Sequence, residues 1–283
     1  MPRIGLIGVE NSHAEHFIRF LNVENRHPGF RITTLAGGPA DRAHSLAAAG
    51  GITQIVDDVT DLVGRVDAAI VCTRDGAQHR SQAEPLLAAG LPTLVDKPLA
   101  TTLDDADAIL SAARAAGTLL YSASALRFSP QVGALTEWAR SSGGLRHLHL
   151  AGAADADGPH SGLFFYGIHH IEAALQILGD MLVAPSLRVE AFRSAGTTVA
   201  TMRLGETIFT ATFVPPSTDG QIPFHAGAVA VDGARHAELQ LGRDYNAPVL
   251  DRFIHALRTG RAPVDEATMR TPIVVLDAIR ASL

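Results

Sequence analysis

The residues best suited to chemistry are Lys97, at the end of an apolar run, and His169 with Glu172, three residues apart in the stretch Phe164–Glu172. Helical neighbours at that spacing share a face, so Glu172 can orient or polarise the His169 imidazole. Imidazole titrates near neutral pH, which makes a histidine–carboxylate pair a common general acid/base unit. A core histidine satisfied by a carboxylate carries the same signature, so the pair alone leaves core and catalysis both open. Lysine is rare in this chain. Lys97 falls in Val95-Asp96-Lys97-Pro98, where the following proline restricts its backbone and allows a cis bond. An ammonium there can hold a substrate hydroxyl or carboxylate.

At Gly8-Val9-Glu10-Asn11-Ser12-His13 a first strand gives way to a helix. A dinucleotide turn uses three glycines, for the tight turn, for approach of the pyrophosphate and for helix–strand packing. Gly8 supplies the first. Glu10 and His13 stand at the other two, and Glu10 brings a negative charge to the place of a pyrophosphate. Ser12 is expected to cap the helix and, with the backbone around it and Asn11, to bind an anion. The second strand closes on Leu35-Ala36-Gly37-Gly38 with no carboxylate before Asp41. A missing acid at that point removes repulsion toward a 2′-phosphate, which Arg42 could pair with. That balance favours NADP over NAD, and loss of the dinucleotide is the remaining alternative. Beyond the fourth strand, Thr73 and Arg74 stand where ligands meet a parallel sheet. His79 reads as structural and Cys72 as a buried, inert thiol.

Strands at Ile4–Val9, Phe30–Ala36, Ile52–Val56, Asp67–Thr73, Pro92–Val95 and Thr118–Ser122 must position these residues. They alternate with helices at His13–Asn25, Pro39–Ala49, Gln78–Ala89 and Leu103–Ala116. That alternation predicts an α/β Rossmann domain over 1–122, a parallel doubly wound sheet with helices on both sides. From 123 to 283 the pattern predicts an α+β domain with a largely antiparallel, open sheet. Its helices are expected at Pro130–Ser141, Gly162–Leu178, Pro248–Thr259 and Glu266–Ser282, the last two able to return to the first domain. Its strands are expected at Leu145–Ala151, Leu187–Arg193, Thr197–Leu204, Glu206–Phe213, Ala226–Val231 and His236–Leu241. The loops Asp155–Ser161 and Pro215–Pro223 read as mobile.

Composition narrows the function classes. The 283 residues are 47% hydrophobic and 18% charged, with a net charge of −6, which fits a folded protein and offers no basic footprint for nucleic acid. No apolar run reaches the length of a membrane span, and a single cysteine suits a reducing compartment. The cytoplasm is the expected location. His160, His169, His170 and Glu172 invite a metal reading, but adjacent helical residues point about 100° apart, so no metal site is expected.

Taken together, these motifs resemble the glucose–fructose oxidoreductase/inositol dehydrogenase/MocA family over nearly the whole chain. Asp96-Lys97-Pro98 is similar to its Glu-Lys-Pro motif, and Thr73 with His79 to the preceding loop. Ser124–Pro130 resembles its Arg-Phe crossover, and Gly167–Glu172 its Gly-x-His-x-x-Asp segment. His16 falls where its glycine motif is followed by histidine, and Pro248–Leu283 resembles its closing helices. The resemblance implies a Rossmann domain, a sheet domain that binds sugars or polyols and often assembles oligomers, and Lys97 and His169 as a catalytic pair across a nicotinamide. The family commonly has Asp four residues before this histidine. Phe165 stands there, and the hydroxyl of Tyr166 is the nearest substitute.

The expected function is hydride transfer between NAD(P) and a sugar, polyol or related hydroxy or keto compound. His169 would act as base with Glu172 steadying it, Lys97 would hold the developing alkoxide, and Arg127, His160, Tyr166 and His170 would line the substrate. A homodimer or homotetramer through the second domain's sheet is expected. Two alternatives remain: a lyase, epimerase or hydrolase with a tightly held or absent dinucleotide, and a non-catalytic binding protein on the same scaffold.

Overall fold

The computed structural model of the chain describes residues 2–179, 183, 186–216 and 222–283. Of the segment Pro215–Pro223, residues 217–221 therefore lie outside the described residues. The chain divides into two compact units. One comprises Met1–Ala100, Asp104–Ala123 and Asn246–Glu266; the other comprises Thr101–Leu103, Ser124–Tyr245 and Ala267–Leu283.

The first unit is built on β1 (Arg3–Ile7), α1 (Ser12–Ile18), β2 (Arg31–Ala36), α2 (Ala40–Gly50), β3 (Gln54–Val56), β4 (Ala68–Val71), α3 (His79–Ala88), β5 (Thr93–Val95), α4 (Leu103–Ala116) and β6 (Leu120–Tyr121). All strand pairs are parallel, in the order β3-β2-β1-β4-β5-β6. β4 is buried at each of its four residues, which is why it reads as a continuous apolar run and not as an alternation. The helix expected over His13–Asn25 is α-helical only as far as Ile18 and widens into a π-helical turn over Arg19–Val23. Asn22 holds that turn: its Nδ2 donates to Ile32 O and Gly50 O, both at 2.8 Å, and its Oδ1 accepts Ile32 N–H at 2.9 Å. A side chain that clamps the turn to β2 and to the end of α2 compensates for the poorer internal hydrogen bonding of a wide turn.

The second unit contains α5 (Pro130–Ser141), β7 (Leu145–Ala153), α6 (Leu163–Leu178), β8 (Val189–Ser194), β9 (Thr197–Leu204), β10 (Thr207–Val214), β11 (Phe224–Ala230) and β12 (Gly233–Leu239). Its sheet runs β12-β11-β7-β10-β9-β8. Only the β10–β7 pair is parallel. The remaining ladders are antiparallel. One face carries Leu148, Leu150, Ala200, Met202, Phe209 and Phe213, all buried, against α5 and α6. Burying each phenylalanine there contributes about 1.5–3 kcal/mol. The opposite face is more exposed: Gly227, His149, Thr210 and Thr201 lie side by side in register, with Phe192, Ile208 and Val229 exposed. Two helices close the chain, α7 (Ala247–Thr259), which belongs to the first unit, and α8 (Glu266–Ala281), nearly all of which belongs to the second. No helix among the described residues is long and apolar enough to cross a membrane.

Candidate active site

In the first unit the chemistry-bearing residues lie at the carboxyl ends of β1, β2, β4 and β5, where open parallel sheets bind ligands. Gly8 leaves β1 with φ +92°, a left-handed conformation that favours glycine. A Cβ at Gly8 would lie 2.2 Å from Thr73 N, so the two loops cross at backbone distance. Asn11, and not the expected Ser12, caps α1: its Oδ1 accepts the His13 N–H at 3.2 Å, and its Nδ2 donates to Cys72 O at 2.8 Å. The longer amide reaches both the helix and the neighbouring loop, whereas Ser12 is exposed. Glu10 turns its carboxylate onto the Arg74 N–H at 2.8 Å, and Arg74 Nη2 returns a bond to Glu10 O at 3.0 Å. Arg42, expected to meet a 2′-phosphate, donates to Val9 O at 3.1 Å and pairs with Glu15. Gly37 and Gly38 follow β2, both with positive φ. Cys72 is fully buried with its Sγ donating to Ile7 O at 3.1 Å, and burial, with Asp96 and Glu10 nearby, pushes its pKa well up.

His13 occupies the place of the third turn glycine and pairs with Asp96 at 2.7 Å, both side chains buried. Burial alone would favour the neutral acid at Asp96. The charge of His13 and its hydrogen bond, with Lys97 and His79 beside it, outweigh that cost and lower the Asp96 pKa. Asp96 is therefore an anion inside the loop that carries Lys97. Lys97 is itself buried, and the Lys97–Pro98 bond is cis. It is the only lysine among 23 basic residues. His79 spans the loops, its two ring nitrogens against Pro98 O at 2.8 Å and Thr73 O at 2.9 Å. Thr73 Oγ1 donates to Gln82 at 2.7 Å, so the whole cluster is fixed by short contacts.

In the second unit, α6 presents His169, Glu172 and Gln176 along one face toward the turn Ala125–Phe128. Ser124 opens that turn. Its Oγ meets His169 Nδ1 at 2.7 Å, and its backbone N–H donates to Glu172 Oε2 at 2.8 Å. The Glu172 carboxylate thus reaches the imidazole through Ser124. Arg127, expected to touch substrate, is buried. Its Nη1 donates to Glu172 at 3.3 Å, and its Nη2 and Nε donate to Gln176 at 3.0 and 3.2 Å. A guanidinium committed to a buried carboxylate and amide braces the site from within.

His170 also lies away from its expected place. It is fully buried between Phe213 and Phe224, with ring centroids 5.0 and 5.1 Å away, and neither ring nitrogen has a hydrogen-bond partner. Burial pushes its pKa down to about 4, so it is a neutral core residue. Tyr166 is 39% exposed with its ring 6.0 Å from that of His169. His160, with φ +62°, packs its ring at a tilt against Phe165, the centroids 5.1 Å apart. Sequence reasoning missed the role of Ser124 and gave the helix cap to Ser12 in place of Asn11. The one signal for Ser124 was its place as a capping serine just ahead of the Arg127-Phe128-Ser129-Pro130 crossover.

Comparison with known proteins agrees with the fold. Residues 2–124 match the Gfo/Idh/MocA family, described as an oxidoreductase family with an NAD-binding Rossmann fold. The 1,5-anhydro-D-fructose reductase of Ensifer adhaerens is 37% identical over 122 residues, 42% of this chain and 35% of that protein. The inositol 2-dehydrogenase of Rhodococcus erythropolis is 32% identical over 126 residues, 44% of this chain and 36% of that protein. The matched stretch thus spans about a third of these curated relatives. The fold likeness extends further. Myo-inositol 2-dehydrogenase from Lactobacillus plantarum superposes with a TM-score of 0.84 at 14% identity, covering 99% of this chain and 96% of that one. GenD2 from gentamicin A biosynthesis, solved in complex with NAD, gives 0.83 at 18% identity over 99% of this chain and 93% of that one. The family match is confined to residues 2–124, less than half of the chain, and the likeness beyond them is one of fold.

Proposed function

We propose that this protein is an NAD(P)-dependent oxidoreductase that interconverts a hydroxyl and a carbonyl on a sugar, polyol or related small molecule. One observation carries the reading. The chain uses arginine at every basic position but one, and the exception is the buried Lys97 beside an ionised Asp96. An ammonium is a compact point donor that can press on a single oxygen, whereas a guanidinium is a broad planar fork. A site that needs that property accounts for one lysine surviving in an arginine-only chain.

A dinucleotide fits the first unit. Gly37 leaves space beside the end of β2, and Asn11, His13, Thr73, Arg74 and Asp96 frame the neighbouring strand ends. When bound, the nicotinamide would supply the hydride donor or acceptor. Glu10 opposes an anion there. Between the two forms of the cofactor, the missing acid after β2 tolerates a 2′-phosphate, while the Glu15–Arg42 pair leaves that arginine already neutralised. NAD and NADP compared by their effect on melting temperature would separate them.

The substrate oxygen changes its proton as the carbon changes its hydride. His169 would exchange that proton, and Lys97 would donate a hydrogen bond to the oxygen as it gains charge. Glu172 contributes through Ser124, and the exposed hydroxyl of Tyr166 and the His160 ring contribute to substrate contact. The open sheet face supports a homodimer or homotetramer, and the single buried thiol supports a reducing compartment, the cytoplasm.

The test is turnover followed at 340 nm across a panel of polyols and sugars. Lys97→Arg keeps the charge but not the compact ammonium, and His169→Gln removes the acid/base. Each should lower kcat by about 10²–10⁴-fold with an unchanged melting curve. Near-normal turnover in both would reject the assignment.

A further inference from the structure

We propose that Ser124 selects the tautomer of His169, so that the resting protein carries the ring hydrogen on Nε2, and that Glu172 and Arg127 act by holding Ser124 in place. This rests on the reading of His169 as the acid/base residue for its functional meaning, although the geometry stands without it.

The argument is an account of one hydrogen. Ser124 is fully buried. A hydroxyl has one hydrogen to donate and two lone pairs to accept with. Its Oγ accepts the Leu126 N–H at 3.3 Å and lies 2.7 Å from His169 Nδ1. Leu126 N–H can only donate, so the acceptor left for the hydroxyl hydrogen is Nδ1. Placing a hydrogen on Nδ1 instead would leave the serine hydrogen buried and without an acceptor, the costly arrangement for a polar group removed from water. The neutral imidazole with an accepting Nδ1 carries its hydrogen on Nε2.

Capping does not require this contact, since a cap needs only an accepting oxygen. The backbone of Ser124 is set separately, through its N–H on Glu172, whose charge is balanced by Arg127. Phe165, one turn before His169 on α6, offers no polar atom to Nδ1; the serine from the preceding turn takes that place. The consequence is chemical. A resting Nε2–H is a donor, suited to a carbonyl oxygen. Removing a hydroxyl proton needs the other tautomer, which Ser124 disfavours. Ser124 is thus a positioning residue for His169.

The test is long-range proton–nitrogen NMR of the 15N-labelled full-length protein at neutral pH, with the His169 signals identified by their loss in His169→Gln. The expected spectrum has an unprotonated Nδ1 and a protonated Nε2, in roughly tenfold excess or more over the other tautomer. Ser124→Ala should bring the two forms to comparable populations, and Ser124→Thr should restore the excess. A protonated Nδ1 in the wild type overturns the proposal, as does an Ser124→Ala spectrum identical to wild type. Should Ser124→Ala not fold, the wild-type and Ser124→Thr spectra decide. The NMR readout needs no substrate, so loss of the dehydrogenase reading and loss of the tautomer assignment are distinguishable.

Discussion

Glu10 shows how one side chain can set the affinity of a whole surface. It stands where a dinucleotide turn uses its second glycine so that the backbone can meet a pyrophosphate, and its carboxylate sits on the Arg74 amide. An incoming anion meets a fixed negative charge. Glu10→Gln, which keeps the shape, and Glu10→Gly, which clears the space, should both tighten NAD(P) binding by about tenfold, ~1.4 kcal/mol. The gain should shrink as salt screens the charge. Titration of dinucleotide into each variant measures it, and weaker binding in both would mean that Glu10 contacts the ligand favourably. Residues of this kind were legible in the sequence because their types are chemical: Gly8, Lys97, His169 and Glu10 each announce a property. Ser124 and Asn11 announce little. Serine and asparagine serve any turn, and the partner of Ser124 is 45 residues away, a pairing that only the folded chain defines.

Helix α6 extends this lesson from residues to elements. His169 and His170 are neighbours in sequence, yet the helix turns them into different environments, one against Ser124 and one into the aromatic cage of the sheet. From the amphipathic pattern alone both look like site residues. His170 titrates at about 4 in the folded protein and near 6.5 when unfolded. Between those values the unfolded chain binds the extra proton, so stability is full above pH 6.5 and falls as the pH is lowered toward 4. The loss reaches about 3 kcal/mol and then levels off. His170→Leu lacks this dependence. Denaturant melts from pH 7.5 to 4 should show the variant gaining on the wild type as acid is added, and parallel curves would contradict the burial account. The elements themselves were read nearly in full, since parallel strands and half-exposed strands have distinct hydropathy patterns. The π-helical turn after α1 was not, because it depends on Asn22 finding Ile32 and Gly50.

For the whole molecule, the open face of the second unit's sheet sets the expected state in solution. Phe192, Ile208 and Val229 are exposed on it, with Glu190 and Arg203 on the same face, a partly apolar surface that a second copy can cover. Ile208→Arg places a second cation beside Arg203 near the start of β10 without touching the core. It should convert a sedimenting dimer or tetramer into monomer while leaving the melting transition two-state. A wild type that is already monomeric at micromolar concentration would remove the oligomer from the proposal. Fold class and two-part organisation were open to sequence reading because each sheet leaves its own periodicity along the chain. The assembly is less legible, since an exposed valine or isoleucine looks the same alone or in an interface.

Cys72 has a practical consequence at this scale. It is the chain's one thiol, fully buried at the end of the central strand β4 and bonded to the carbonyl of Ile7 on β1. A thiol-reactive dye cannot reach it until β1 and β4 separate. Its labelling therefore counts opening events of the parallel sheet, and the native protein carries its own clock for the stability of the first unit.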